Sequence, residues 1–287
     1  MRGIGLIGGG IVAVTIATLV ASNAFAGGTS KTPGEPAASL ADLIGVDFFH
    51  NCRFNHKAPD DPIVYPGEPG LSHLHTFVGN TTTNAFSKYA SLRSGETTCT
   101  RRADRSAYWT PALYRGTKLI PPTTATIYYR RFTLAPVRPF PDNLRMIAGS
   151  AAATGVQGTR VTFWSCGVHS HVQRSTHVIT CPKGEFLHLA VFFPQCWDGR
   201  HLDSPNHKSH MAYMWKGRCP SSHPVAVPTL EELYSYPIRG GDGISLSSGG
   251  LYSGHADFIN AWTPSALRKL VDGCLNQFVH RLCRPPS

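Results

Sequence analysis

The sequence predicts a mainly β protein, sandwich-like or two-layered, with a few short helices and one amphipathic helix near the C-terminus. Three observations predict it. Several short segments are dense in β-branched and aromatic residues, and the 28 Gly and 22 Pro of the 287 residues punctuate the gaps between them. Eight cysteines follow an N-terminal segment patterned like an export signal, the usage of an oxidised, disulfide-stapled fold. No heptad, internal repeat or second linker breaks the remainder into further units.

The elements follow in order. Arg2 precedes an apolar run that ends in Ala24-Phe25-Ala26, so residues 1–26 read as a signal peptide cleaved after Ala26. Residues 27–39, rich in Gly, Ser, Thr and Pro without periodicity, read as a flexible linker. Residues 40–287 then form a single β-rich domain, large enough to bury a substantial core. Strands are expected over 124–134 (TATIYYRRFTL), 159–168 (TRVTFWSCGV), 176–181 and 186–194 (FLHLAVFFP). The last is apolar on both faces apart from His188, which is the pattern of a strand covered on each side. Glu231 and Glu232, after Pro228, suggest a short helix. A second helix opens with Thr263 as N-cap and Pro264 in the first turn, and carries Leu267, Leu270, Val271, Cys274, Leu275 and Phe278 along one stripe.

The cysteines read as four disulfides, with sequence neighbours as the simplest pairing: Cys52 with Cys99, Cys166 with Cys181, Cys196 with Cys219, and Cys274 with Cys283. No Cys-x-x-Cys occurs, which speaks against a structural zinc knuckle. The formal net charge of +10 and the fourteen histidines suit an anionic partner outside the cell, such as an acidic polysaccharide. The basic residues are scattered and match no nucleic-acid signature, and no segment after the signal is apolar enough to span a membrane. The expectation is a secreted, extracellular monomer.

Four constellations carry chemistry. In the segment 66–80 (PGEPGLSHLHTFVGN), His73 and His75 are two apart and share a face if extended, a pair suited to metal or to acid and base work. His255 and Asp257 repeat that spacing, and a neighbouring carboxylate orients an imidazole. At the exit of the covered strand come Trp197, Asp198 and then His207, His210 and Tyr213, of which His210 lies nearer the strand-like part. Tyr108 and Trp109 head an aromatic cluster of the kind on which sugars stack. The carboxylates available for catalysis are Asp61, Asp104, Asp198 and Asp257. Serine-elbow hydrolases, nucleotide enzymes and helical zinc proteases lose support, because their motifs are missing.

Taken in order, these motifs resemble a known family. Asp61-Pro62-Ile63-Val64, Ser72 to Asn80, Ser106 to Pro111, Phe193 to Gly199, His210 to Tyr213, Cys219-Pro220, His223-Pro224 and His255 to Phe258 are similar to the domain of unknown function nineteen-ninety-six, DUF1996. The resemblance implies an extracellular setting, often beside cell-wall or biomass-degrading proteins, and assigns no activity.

The expected function is therefore an extracellular enzyme that cleaves a polysaccharide, as hydrolase or lyase, through His73, His75, Asp198, His210, Tyr213, His255 and Asp257. Substrate is expected against Tyr108, Trp109 and Trp197, and a divalent metal ion on His73, His75 and His255. In β-elimination from a uronate, His73 or His75 serves as base, Tyr213 or His255 as acid, and a nearby Lys or Arg faces the carboxylate. The alternatives are a non-catalytic glycan-binding protein with structural histidines, and a metal-binding protein.

Overall fold

In the computed structural model the described residues are 39–167, 173–279 and Cys283. The signal reading of residues 1–26 and all but Ser39 of the expected linker lie outside them.

Among the described residues fifteen strands follow one another: β1 (Asp47–Ala58), β2 (His75–Gly79), β3 (Ala107–Pro111), β4 (Leu113–Arg115), β5 (Lys118–Ile120), β6 (Thr124–Arg130), β7 (Arg145–Gly149), β8 (Thr162–Cys166), β9 (Leu187–Phe192), β10 (Cys196–Trp197), β11 (Met211–Ala212), β12 (Val225–Ala226), β13 (Thr229–Ser235), β14 (Ile244–Leu246) and β15 (His255–Ile259). Nine of them form one antiparallel sheet in the order β7-β15-β3-β2-β1-β6-β13-β9-β8. Two further three-stranded sheets have the orders β11-β10-β12 and β14-β4-β5. The large sheet curls until β7, at one edge, comes back against β9 near the other. The layers of this mainly β fold thus come largely from one sheet turned on itself.

Alternation along each strand explains what the curl encloses. Phe48 of β1, Ile127 and Tyr129 of β6, Leu230 and Tyr234 of β13, Leu189 and Val191 of β9, and Phe258 of β15 all join the main core. Phe48 stacks on Tyr129 with ring centroids 4.8 Å apart. Two polar tips inside this core find partners there: the Trp262 indole donates to the Tyr129 hydroxyl (2.7 Å), and the Tyr108 hydroxyl donates to Asp104 (2.6 Å). The opposite face of β9 packs Ala190 and Phe192 with Phe163 and Leu233, so this strand is covered on both sides as its apolar run predicts.

Two local expectations are corrected. Glu231 and Glu232 lie in β13, not in a helix. There the backbone pairs with both β6 and β9, Glu231 meets Arg130 (2.5 Å), and Glu232 accepts from Tyr234 (2.5 Å). Cross-strand pairing on both sides outweighs the weak helical preference of two glutamates. Residues 176–181 form no strand; only isolated bridges join Trp164 to Ser175 and Thr180 to Gly240. The C-terminal helix is present as α2 (Pro264–Leu270), prolonged by a π turn (Val271–Leu275), and buries Leu267, Leu270, Val271, Cys274 and Leu275. A short α1 (Tyr89–Ser94) lies between β2 and β3.

Four disulfides join Cys52 to Cys99, Cys166 to Cys181, Cys196 to Cys219 and Cys274 to Cys283. Each closes a loop between sequence neighbours. No helix among the described residues is long and apolar enough to cross a membrane.

The face of β2, β3 and β15 that points away from the main core is not left to solvent. Ile63 and Leu92 cover Phe77, Ala107, Trp109 and Ile259 there in a second apolar cluster. The functional candidates sit at the end of this face.

Candidate metal centre

Period-two geometry places the first residues. His75 opens β2 on the same face as Phe77, and His255 and Asp257 share the corresponding face of β15. Both strands flank β3, whose Pro111 is in register with His75 and whose Trp109 is in register with Asp257. His73, just ahead of β2, folds back so that its ring centroid is 4.2 Å from that of His75 and 5.0 Å from that of His255. The His75 and His255 rings are 5.8 Å apart. One ligand-capable atom from each of the three imidazoles lies within 4.8 Å of the others.

Backbone carbonyls decide which nitrogens converge. His75 Nδ1 is 3.0 Å from the Asp60 carbonyl, and His255 Nδ1 is 2.7 Å from the Ser253 carbonyl. A carbonyl only accepts, so each Nδ1 carries the proton and each Nε2 keeps a bare lone pair. Metal-ligating histidines are held in this way, their second nitrogen donating to a carbonyl or carboxylate. The Nε2 atoms of His73 and His75 are buried without any partner. Burial, with the neighbouring His73 and His255 rings, holds the His75 imidazole well below its usual pKa. Burial brings His255 down to about 3, so both rings are neutral at ordinary pH.

Two carboxyl groups border the imidazoles. Asp257 Oδ2 is buried without a hydrogen bond, 3.9 Å from His255 Nε2. Burial, then the charges of Asp61 and Glu232, push the Asp257 carboxyl well above the usual range. Asp61 accepts at Oδ1 from the backbone N–H groups of Ile63 and Val64, both at 2.9 Å, and is likewise raised by burial. Asp61, His75 and Asp257 also offer ligand atoms within 4.8 Å of one another. His75 is therefore shared by a three-histidine cluster and a mixed one.

The remaining sequence candidates are placed elsewhere. His210 is buried with both nitrogens occupied, Nδ1 by Ser204 Oγ (2.9 Å) and Nε2 by the Arg145 carbonyl (2.7 Å). Asp198 ties its own loop by accepting from the backbone of Arg200 and His201 and from the His201 ring. The Trp197 indole donates to the His201 carbonyl (2.7 Å). Tyr108 and Trp109 are fully buried, one in each apolar cluster, and offer no ring face to a ligand. Tyr213 is exposed, and lines a cleft beside the histidines together with Ile147, Gly149 and Lys208. Asp61, which the sequence marks only as an available carboxylate, joins the site, and the charge of His207 acts on it. The sequence signals for it were its count among the few available carboxylates and its place at the head of the family motif series, in Asp61-Pro62-Ile63-Val64.

The family model described as "Domain of unknown function (DUF1996)" matches residues 61–262. The chain belongs to the DUF1996 family. No curated protein and no solved structure matches it. The DUF1996 match begins at Asp61 and runs past Asp257, so every group of the two clusters lies within it.

Proposed function

We propose that this DUF1996 chain is an extracellular metalloenzyme that holds one divalent transition-metal ion on the Nε2 atoms of His73, His75 and His255. The observation that carries the reading is the convergence of one ring nitrogen from each of the three imidazoles, with the Nε2 atoms of His73 and His75 buried and without a partner. Buried polar atoms without hydrogen bonds cost about 1–3 kcal/mol each, and a single cation relieves all of them together. Imidazole ligands suit zinc, copper, iron and nickel, and three protein ligands leave a position open for water or substrate. Tetrahedral zinc needs its nitrogens about 3.4 Å apart. The ligand-capable atoms of the three rings now lie within 4.8 Å of one another, and the rings would have to draw closer to hold such an ion. Asp257 and Asp61, which border the imidazoles, would be the groups to accept or return a proton if the ion activated a water. The four disulfides and the lack of a membrane-spanning helix among the described residues fit an extracellular setting.

Depth favours a second reading, metal capture without turnover: His75, His255 and Asp257 are buried, and only His73 is partly exposed. Elemental analysis of the purified chain separates both readings from a metal-free site, with one equivalent expected and its loss expected in His75→Ala. Chelator-sensitive release of fragments from a panel of extracellular polymers distinguishes the enzyme from the capture protein. Failure to retain any metal after reconstitution would overturn both.

A further inference from the structure

The cleft beside the histidines has a volume of about 190 Å³ and is walled by Ile147, Gly149, Ser150, Gln157, Lys208 and Tyr213, among others. Ile147 and Gly149 are the cross-strand partners of Asp257 and His255, so the cleft and the candidate metal centre share strand β7 as a wall. Its composition is mixed. Ser150 offers a hydroxyl and Gln157 its amide oxygen, the amide nitrogen being held by the Tyr252 and Gly254 carbonyls; Ile147 and Val161 offer apolar surface, and Tyr213, whose hydroxyl donates to the Phe192 carbonyl (2.8 Å), is 43% exposed. Trp215, two residues beyond, is 66% exposed.

One charge stands out in this lining. The Lys208 ammonium donates to the Gly149 carbonyl at 2.5 Å, and no carboxylate of the described residues lies within ion-pairing distance of it. Its charge is felt by both Asp257 and His255. A cation in a concave wall with no carboxylate within ion-pairing distance is a site for an anion. The cleft has roughly the bulk of one sugar ring. Such a ring presents a C–H face to an aromatic and hydroxyls to polar side chains, which is the mixture found here.

We propose that this cleft binds the carboxylate-bearing sugar of an acidic glycan, with Lys208 as the residue that reads the carboxylate and Tyr213 as the stacking surface. The proposal rests on the metalloenzyme reading for what happens to the bound sugar, and not for the binding itself. It makes Lys208 a specificity residue, which fixes the uronate in the cleft through its carboxylate.

The test is calorimetric binding of galacturonate oligosaccharides to the full chain, metal-loaded and chelator-treated, with neutral glucose oligosaccharides and dextran sulfate as comparison ligands. The expected result is uronate binding that weakens about tenfold or more in Lys208→Met, recovers in part in Lys208→Arg, and exceeds binding to the neutral series. Elemental analysis of Lys208→Met is expected to match the parent chain, and its melting temperature reports that the fold is intact. Uronate affinity unchanged in Lys208→Met, or equal affinity for the neutral oligosaccharides, would overturn the proposal. So would a Lys208 dependence confined to dextran sulfate, or no uronate binding at all. Lys208-dependent uronate binding by a chain that retains no metal would support the cleft and sink the metalloenzyme reading, so the two failures are told apart.

Discussion

Addition of a divalent transition metal is expected to raise the melting temperature, and His255→Ala is expected to abolish that rise. The ligands come from segments at opposite ends of the chain, on the strands flanking β3, so the unfolded chain does not present them together. Binding is then confined to the folded state, the condition under which stabilisation follows the logarithm of ligand over Kd. At a free metal concentration one hundred times Kd this amounts to about 2.7 kcal/mol. A domain of this size shifts by about 2–4 °C per kcal/mol, which gives a rise of roughly 5–11 °C. The assay is differential scanning fluorimetry or calorimetry of chelator-stripped protein titrated with zinc, copper, nickel and cobalt. The quantity to compare is the metal-induced shift and not the starting temperature, because removing a buried ring from His255 carries its own cost. His201→Ala removes an exposed imidazole outside the cluster and is expected to keep the full shift. A parent chain that moves by less than about 1 °C with every metal, or a His255→Ala variant that keeps the whole shift, would refute the assignment of these nitrogens as ligands.

Gly149→Ala tests the wall between cleft and cluster. Gly149 has φ +79°, and a Cβ there would lie 2.4 Å from the Gly254 carbonyl oxygen and 2.9 Å from His255 Cα. Left-handed strain and backbone displacement together predict a loss of about 2–4 kcal/mol, read by urea unfolding, with weaker metal binding because His255 shifts. Arg130→Met leaves Asp47 and Glu231 facing each other where Arg130 now bridges them at 2.9 Å and 2.5 Å. The expected cost is about 3 kcal/mol, the low end for a buried pair because Arg130 keeps some exposure, and it lowers the melting temperature by roughly 6–12 °C. Asp198→Asn is expected to flatten part of the acid limb of stability. Burial opposes the Asp198 charge, but the His201 ring and the backbone N–H groups of His201 and Arg200 outweigh it and bring the carboxyl from 3.8 to about 2. A folded pKa below the unfolded value means stability present above the unfolded pKa and lost as the pH falls through the folded one. The gap between parent and variant should therefore be constant at neutral pH and close between about pH 4 and pH 2 in acid-unfolding curves.

Some of this architecture was written locally. The apolar run of β9 announced a strand covered on both faces, and Thr263-Pro264 with its apolar stripe announced α2, because burial and backbone preference agree at those positions. β1 was not legible, although it is the longest strand. Its sequence DFFHNCRFNHKA mixes charge and apolar groups without clean alternation, since one end borders the core and the other the second cluster. Glu231 and Glu232 misled for the same kind of reason, since Arg130, which pairs with Glu231, and the strands β6 and β9 on either side of β13 are distant in sequence and enter no local window.

By itself the sequence determined that His73 and His75 stand two apart and that His255 and Asp257 do the same, so each pair shares a face wherever the backbone is extended. Only the tertiary structure decided that the two pairs meet, because β2 and β15 both chose β3 as neighbour. It also decided that Asp61 comes in from a loop, that His210 spends both nitrogens on structure, and that Tyr108 and Trp109 are sealed. Side-chain direction along one strand is a property of the local chain. Which strands lie side by side, and which face turns inward, is settled by burial summed over the whole sheet.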